Sequence, residues 1–184
     1  ALYMLCADSE PSAECYVAAG DRQQAGIIFD VASSMVRSDS QLNNNLKVFK
    51  SSVIHEKSNS AFKAISAEAS SKFGYNASFV CMDEFFVQKD AQLWDALTTS
   101  VGARRQPLTI AITTAGYNRE SICFKTEEYG RKVSEGVIDD SSFYYVKFAC
   151  PMDVEWDSEE ALRLANPALE SGVVKLDYLK REQE

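Results

Sequence analysis

Phe79-Val80-Cys81-Met82-Asp83-Glu84-Phe85 is an apolar strand that ends in two adjacent carboxylates, and about thirty residues on a second apolar strand ends in Thr113-Thr114-Ala115-Gly116. Phosphoryl transfer to water is the chemistry such a pair could do. Asp83 would hold Mg2+ and Glu84 would polarise the attacking water. Both stand at the carboxyl end of a strand, where an α/β sheet presents its chemistry. A solvated acidic pair closing a strand is the plain alternative, and the hydroxyl-bearing strand end behind it favours the ATPase reading. No G-x-x-x-x-G-K-[ST] phosphate loop occurs in the 184 residues, so the chain carries half of a nucleotide site.

The elements that must position these residues alternate along the chain. Glu14 to Ala19 is an apolar strand that breaks at Gly20, and Asp21 then caps a helix, with Gln24 at capping-box spacing. That helix runs to Met35 or Val36, and Ile27, Ile28, Val31, Ala32 and Met35 form the face expected to meet a sheet. The polar stretch Arg37 to Asn45 reads as a loop, followed by short strands near 46–49, 53–54 and 62–65, and 70–76 is loop-like. Strand 78–82, helix 90–97, strand 108–113, helix 119–134 and strand 143–149 then give a βαβαβ order, which implies parallel strands with right-handed crossovers. Acidic residues gather beyond Cys150-Pro151, at Asp153, Glu155, Asp157, Glu159 and Glu160, as in a solvated hinge. A helix to Leu164, Asn166-Pro167 and a last helix from Leu176 follow, and a domain boundary is expected near residue 152. The fold class is α/β, a mainly parallel sheet flanked by helices.

Composition excludes several functions. The longest apolar runs, 108–115 and 143–150, have strand length and are far too short to cross a bilayer. Five cysteines without a C-x-x-C pair suit a reducing cytoplasm. A net charge of −8 opposes a grip on nucleic acid by the whole surface, since that grip needs Lys and Arg to displace counterions. His55 is the sole histidine, with no second ligand at metal spacing, and reads as a surface residue. Trp94 lies on an apolar helical face and reads as core.

Tyr16 to Ala25, the Cys81-Met82-Asp83-Glu84 strand end, Gln106 to Gly116 and Ala165-Asn166-Pro167 together resemble the large terminase subunit of tailed bacteriophages, of the HK97 type and its prophage relatives. The resemblance covers nearly the whole chain, and the order and spacing of the blocks carry it. It implies a P-loop NTPase-like fold of the additional-strand type, with residues 1–152 an ATPase core lacking its first strand and Walker A loop. Residues 153–184 would be a lid or linker toward an absent nuclease domain. Ala1 to Cys6 would be the tail of a helix that follows the phosphate loop, and the missing strand would leave a gap in the sheet.

The resemblance also implies roles. Asp83 and Glu84 match the Walker B pair, and Thr113, Thr114, Ala115 and Gly116 match the coupling motif that senses the γ-phosphate. Lys72, Arg104 and Arg105 are candidates for a finger completing a neighbour's ATP site in a homo-oligomeric ring. Arg22, Gln23 and Gln24 open a helix where nucleotide or DNA could bind, or simply cap it. ATP and Mg2+ would serve the parent protein, and none is expected to bind this fragment tightly. Double-stranded DNA, the portal protein and the small terminase subunit would be partners, in the host bacterial cytoplasm. The alternatives are a non-catalytic prophage remnant or assembly module, or another P-loop ATPase such as a helicase core.

Overall fold

The computed structural model describes residues 1–66 and 74–183. They form two compact units, Ala1–Glu128 and Tyr129–Glu184. The boundary expected near residue 152 from composition falls inside the second.

The first unit is built on a sheet of six strands: β1 (Glu14–Ala19), β2 (Lys47–Val48), β3 (Ser52–His55), β4 (Ser60–Ser66), β5 (Ala77–Met82) and β6 (Leu108–Ala111). Their order is β2-β3-β4-β1-β5-β6. β4, β1, β5 and β6 run parallel, whereas β2 and β3 add an antiparallel hairpin at one edge. The sheet is therefore mixed, and mainly parallel as expected. These six strands are paired without a break, so the gap expected from a missing strand does not lie among them.

β1 is buried from Cys15 to Ala19 and β5 along its whole length, as parallel strands covered on both faces must be. Cys15 and Val17 of β1, with Phe79 and Cys81 of β5, pack on one face with Met4 and Leu5 of helix α1 (Leu2–Cys6) and Phe29, Ala32 and Val36 of α2 (Arg22–Ser38). Tyr16, Ala18, Val80 and Met82 point to the other face, against Leu93 and Leu97 of α4 (Gln92–Thr99). Half-buried Trp94 lies against Phe85, ring centroids 4.5 Å apart.

Helix α2 buries a stripe rotated from the expected one. Ala25, Phe29, Ala32, Ser33 and Val36 face the sheet, whereas Ile27, Val31 and Met35 are each more than half exposed. The helix carries two adjacent apolar stripes, and Phe29 selects between them by packing on Phe62, centroids 5.7 Å apart. The segment Arg37 to Asn45 is also not a loop. α2 continues to Ser38, and Asp39 accepts the Leu42 amide at 2.8 Å to start α3 (Ser40–Asn45), a cap that offsets the poor helix propensity of Ser and Asn. His55 is half-buried and does local work: its Nδ1 lies 2.7 Å from Ser58 Oγ, which donates to Ser60 Oγ, itself the acceptor of the Ala13 amide.

Helix α5 (Ile122–Ser134) opens in the first unit, and the second holds α6 (Glu159–Ala165) and α7 (Leu176–Glu182). Ser158 caps α6 by accepting the Ala161 amide at 3.1 Å, and Glu159 pairs with both Arg163 and Lys180. Phe143 to Ala149, expected as the last strand, carries no regular strand structure, and the regular elements described in this unit are helical. Phe143 instead meets Tyr129 edge-on at 5.1 Å, and Tyr145 comes so close to Gly130 that a Cβ there would lie 2.7 Å from its ring.

Phe62 is fully buried beneath α2, so Phe62→Ala is expected to lower the unfolding free energy by about 3–5 kcal/mol. Ile27→Ala on the exposed stripe is expected to change it by no more than about 0.5 kcal/mol. Urea denaturation of the two variants checks both values.

Candidate active site

β1, β5 and β6 end level with one another because their ladder continues past the last strand residues. The Asp83 amide donates to Ala18 O at 2.8 Å, and the Ile112 amide donates to Met82 O at 2.9 Å. Asp83 and Glu84 are thereby set, half-buried, at the carboxyl edge of the parallel strands.

Glu84 adopts left-handed backbone, φ 46° and ψ 55°, a conformation that costs a residue with a Cβ and persists only where neighbours enforce it. The chain then makes a 3₁₀ turn over Phe85–Val87. The Phe85 amide donates to Ile112 O at 3.1 Å and the Phe86 amide to Thr113 Oγ1 at 3.0 Å. The Thr114 hydroxyl lies 3.5 Å from Glu84 Oε2, the outer limit of a hydrogen bond. The acidic pair and the Thr113 to Gly116 segment, separate in sequence, are thus one assembly.

Two glycines let this turn fit. A Cβ on Gly116 would lie 3.1 Å from Phe86 Cβ, and one on Gly20 would lie 2.5 Å from Val87 Cγ2. Gly20 ends β1, and the next residue, Asp21, accepts the amides of Gln23 and Gln24 at 2.8 and 2.9 Å. Arg22, Gln23 and Gln24 are exposed on the first turn of α2, just after the glycine that meets Val87. The buried thiols of β1 and β5 are poor nucleophiles. Burial pushes Cys15 up to about 12, and raises Cys81, where the Asp83 charge adds to the effect.

Arg104 and Arg105, the basic candidates among the described residues, lie elsewhere. Lys72 is outside the described residues. Arg104 is at the opposite, amino edge of the sheet: its buried guanidinium donates to the carbonyls of Asn76, Pro11 and Ser12 and pairs with Glu10. Those contacts occupy Arg104 in holding the loop before β1 to the start of β5, and leave no free guanidinium for a neighbour. Arg105 is mostly exposed, and donates to Glu10 Oε2 at 3.0 Å and Ser9 O at 2.7 Å. The hydrogen bond from Arg105, helped by the charges of both arginines, holds the Glu10 carboxyl below its ordinary range. Sequence reasoning did not anticipate this clamp, whose members are over ninety residues apart, nor the roles of Phe86 and Val87. The Phe85-Phe86-Val87 run after the acidic pair was the available signal for the latter.

A mainly parallel sheet flanked by helices, with an acidic pair at its carboxyl edge tied to a Thr-Thr-Ala-Gly strand end, gives an α/β protein with a P-loop ATPase-like fold. The family model "Terminase large subunit, ATPase domain" matches residues 1–132, and the chain belongs to that family. It is 29% identical over 102 residues, 55% of its length, to "Protein YmfN" of Escherichia coli K12, and 28% identical over 152 residues, 80% of its length, to "Terminase, large subunit" of Enterobacteria phage HK97. The chain spans 22% and 29% of the lengths of those relatives. In fold it is similar to the crystal structure of the HK97 bacteriophage large terminase, with a TM-score of 0.81 over 97% of this chain and 37% of that one, at 24% identity.

Arg104→Ala is expected to destabilise the fold by about 1.5–3 kcal/mol, the worth of hydrogen bonds from a charged group, because the carbonyls of Asn76, Pro11 and Ser12 lose their donor. Glu10→Gln is expected to lower stability at neutral pH, because a depressed folded pKa contributes stability above the unfolded value, near 4.5. That contribution is lost as pH falls through the folded pKa, so wild type and Glu10→Gln should converge there. Thermal melts across the acid range measure the convergence.

Proposed function

We propose that the protein carrying this chain is the ATP-hydrolysing large subunit of a phage DNA-packaging terminase. The observation that carries the reading is the Asp83-Glu84 pair at the end of β5, braced against the Thr113 to Gly116 segment by the Phe85 and Phe86 amides. Family membership favours it over a helicase core or an assembly module.

Asp83 offers an oxygen ligand. Among the described residues no three His, Cys, Asp or Glu side chains converge as a cation cage. This donor set fits Mg2+, which commonly keeps several waters and is completed by substrate phosphates. When bound, Mg2+ would neutralise charge developing on the transferred phosphoryl group. Glu84 would accept the proton of the attacking water, a contribution of about 10²–10⁴-fold. The Thr114 hydroxyl, at the edge of hydrogen-bonding range, can orient that carboxylate.

Phosphate-holding amides and a P-loop lysine are not encoded in these 184 residues. Positioning supplies most of the catalysis in this reaction class. The chain by itself is therefore expected to be inactive, and turnover belongs to the whole protein. In that reading residues 1–152 are the ATPase core and 153–184 lead toward an endonuclease domain. Double-stranded DNA, the portal protein and the small terminase subunit are the partners, the motor is a homo-oligomeric ring, and the setting is the cytoplasm of the bacterial host. Among the described residues no helix is long and apolar enough to cross a membrane. Arg22, Gln23 and Gln24 remain the nucleotide- or DNA-proximal set, on the helix N-terminus beside the site.

In the whole protein Glu84→Gln should cut Mg2+-ATP turnover by at least about 10²-fold while nucleotide binding persists. Unchanged turnover in a steady-state phosphate-release assay would refute the mechanism. Charge reversal at Lys72 or Arg105 should abolish turnover if that residue completes a neighbour's site. Mixing such a variant with Glu84→Gln subunits should then restore part of the activity, and a mixture as inactive as its components would remove that residue as a trans finger.

A further inference from the structure

The left-handed backbone at Glu84 needs something to hold it, and the amides around it show what does. Asp83 N–H goes to Ala18 O, Phe85 N–H to Ile112 O and Val87 N–H to Glu84 O, all backbone to backbone. Phe86 N–H alone among these goes to a side chain, Thr113 Oγ1, at 3.0 Å. The Thr113 hydroxyl proton is committed to Thr114 O at 2.8 Å, which turns an oxygen lone pair toward the Phe86 amide. The Cys123 thiol approaches the same oxygen at 3.9 Å from the start of α5. Thr114 reaches Glu84 directly only at 3.5 Å, so of the two threonines Thr113 makes the shorter and better-defined contact with the turn.

We infer that Thr113 is a positioning residue for Glu84: its Oγ1 pins the Phe86 amide, and so holds the left-handed turn from which the Glu84 carboxylate is presented. Through Thr114 O the same hydroxyl also fixes the residue whose side chain faces that carboxylate. Thr113 therefore acts on the reaction through Glu84. The inference rests on the reading of Glu84 as the water-activating group.

The test compares Thr113→Val, which keeps the shape and removes the acceptor, with Thr113→Ser, which keeps the acceptor. In the chain as it stands, Thr113→Val should speed exchange of the Phe86 amide about tenfold or more and move the Glu84 13Cα shift away from its left-handed value, while Thr113→Ser restores both. In the whole protein, Thr113→Val should lower kcat by about 10²-fold with KM for Mg2+-ATP unchanged, and Thr113→Ser should recover most of it. Unchanged exchange and 13Cα shift in Thr113→Val would overturn the inference whatever the activity. A displaced Glu84 with undiminished kcat would overturn the positioning role and leave the ATPase reading standing. Turnover insensitive to Glu84→Gln would overturn both.

Discussion

The continuation of the backbone ladder beyond the last residue of β5 is the interaction on which the candidate site depends. Asp83 bonds across to β1 and Ile112 bonds across to β5, so three parallel strands finish at one level. A carboxylate at that level inherits the rigidity of strands buried on both faces, with Val17, Val80 and Met82 fully enclosed. The chain can then turn sharply at Glu84, because the amides that follow have acceptors waiting on the segment after β6.

The two edges of the sheet divide the labour. At the amino edge the polar contacts are spent on structure: Arg104 gathers backbone carbonyls, Glu10 closes the ion pair, and Glu14 accepts from the Tyr16 hydroxyl and the Asn76 amide. At the carboxyl edge Asp83 and Glu84 are half-buried, and among the described residues the hydrogen bond to Glu84 Oε2 is the weak one from Thr114. Groups left under-committed inside a well-braced frame are what a site needs if it is to bind charge during a reaction.

The acidic pair, its strand and the Thr-Thr-Ala-Gly strand end were legible in the sequence because each is local: an apolar run, a break and a polar terminus. Asp21 as a helix cap was legible for the same reason. The stripe that α2 buries was not, since Phe29 and Val31 are equally apolar and only Phe62, from another strand, decides between them. Asp39 hid a helix start inside a Ser- and Asn-rich stretch, because a cap can outweigh propensity in a short helix. The Arg104 clamp lay beyond pattern reading, as most of its partners are backbone carbonyls, which leave no trace in residue identity, and Glu10 is distant in sequence. The strand expected at Phe143 to Ala149 has the right apolar composition, but composition alone does not make a strand, and among the described residues this stretch is not in regular strand structure.

Most of the Arg104 contacts are to neutral carbonyls and the guanidinium is shielded from solvent, so dissolved ions have little to compete for. The pairs of Glu159 with Arg163 and Lys180 in the second unit are about half exposed and stand in the open ionic atmosphere. Ionic strength therefore acts selectively on this chain: concentrated salt weakens the tie between α6 and α7 and the exposed Arg105–Glu10 pair, and bears least on the bonds from Arg104 to carbonyls.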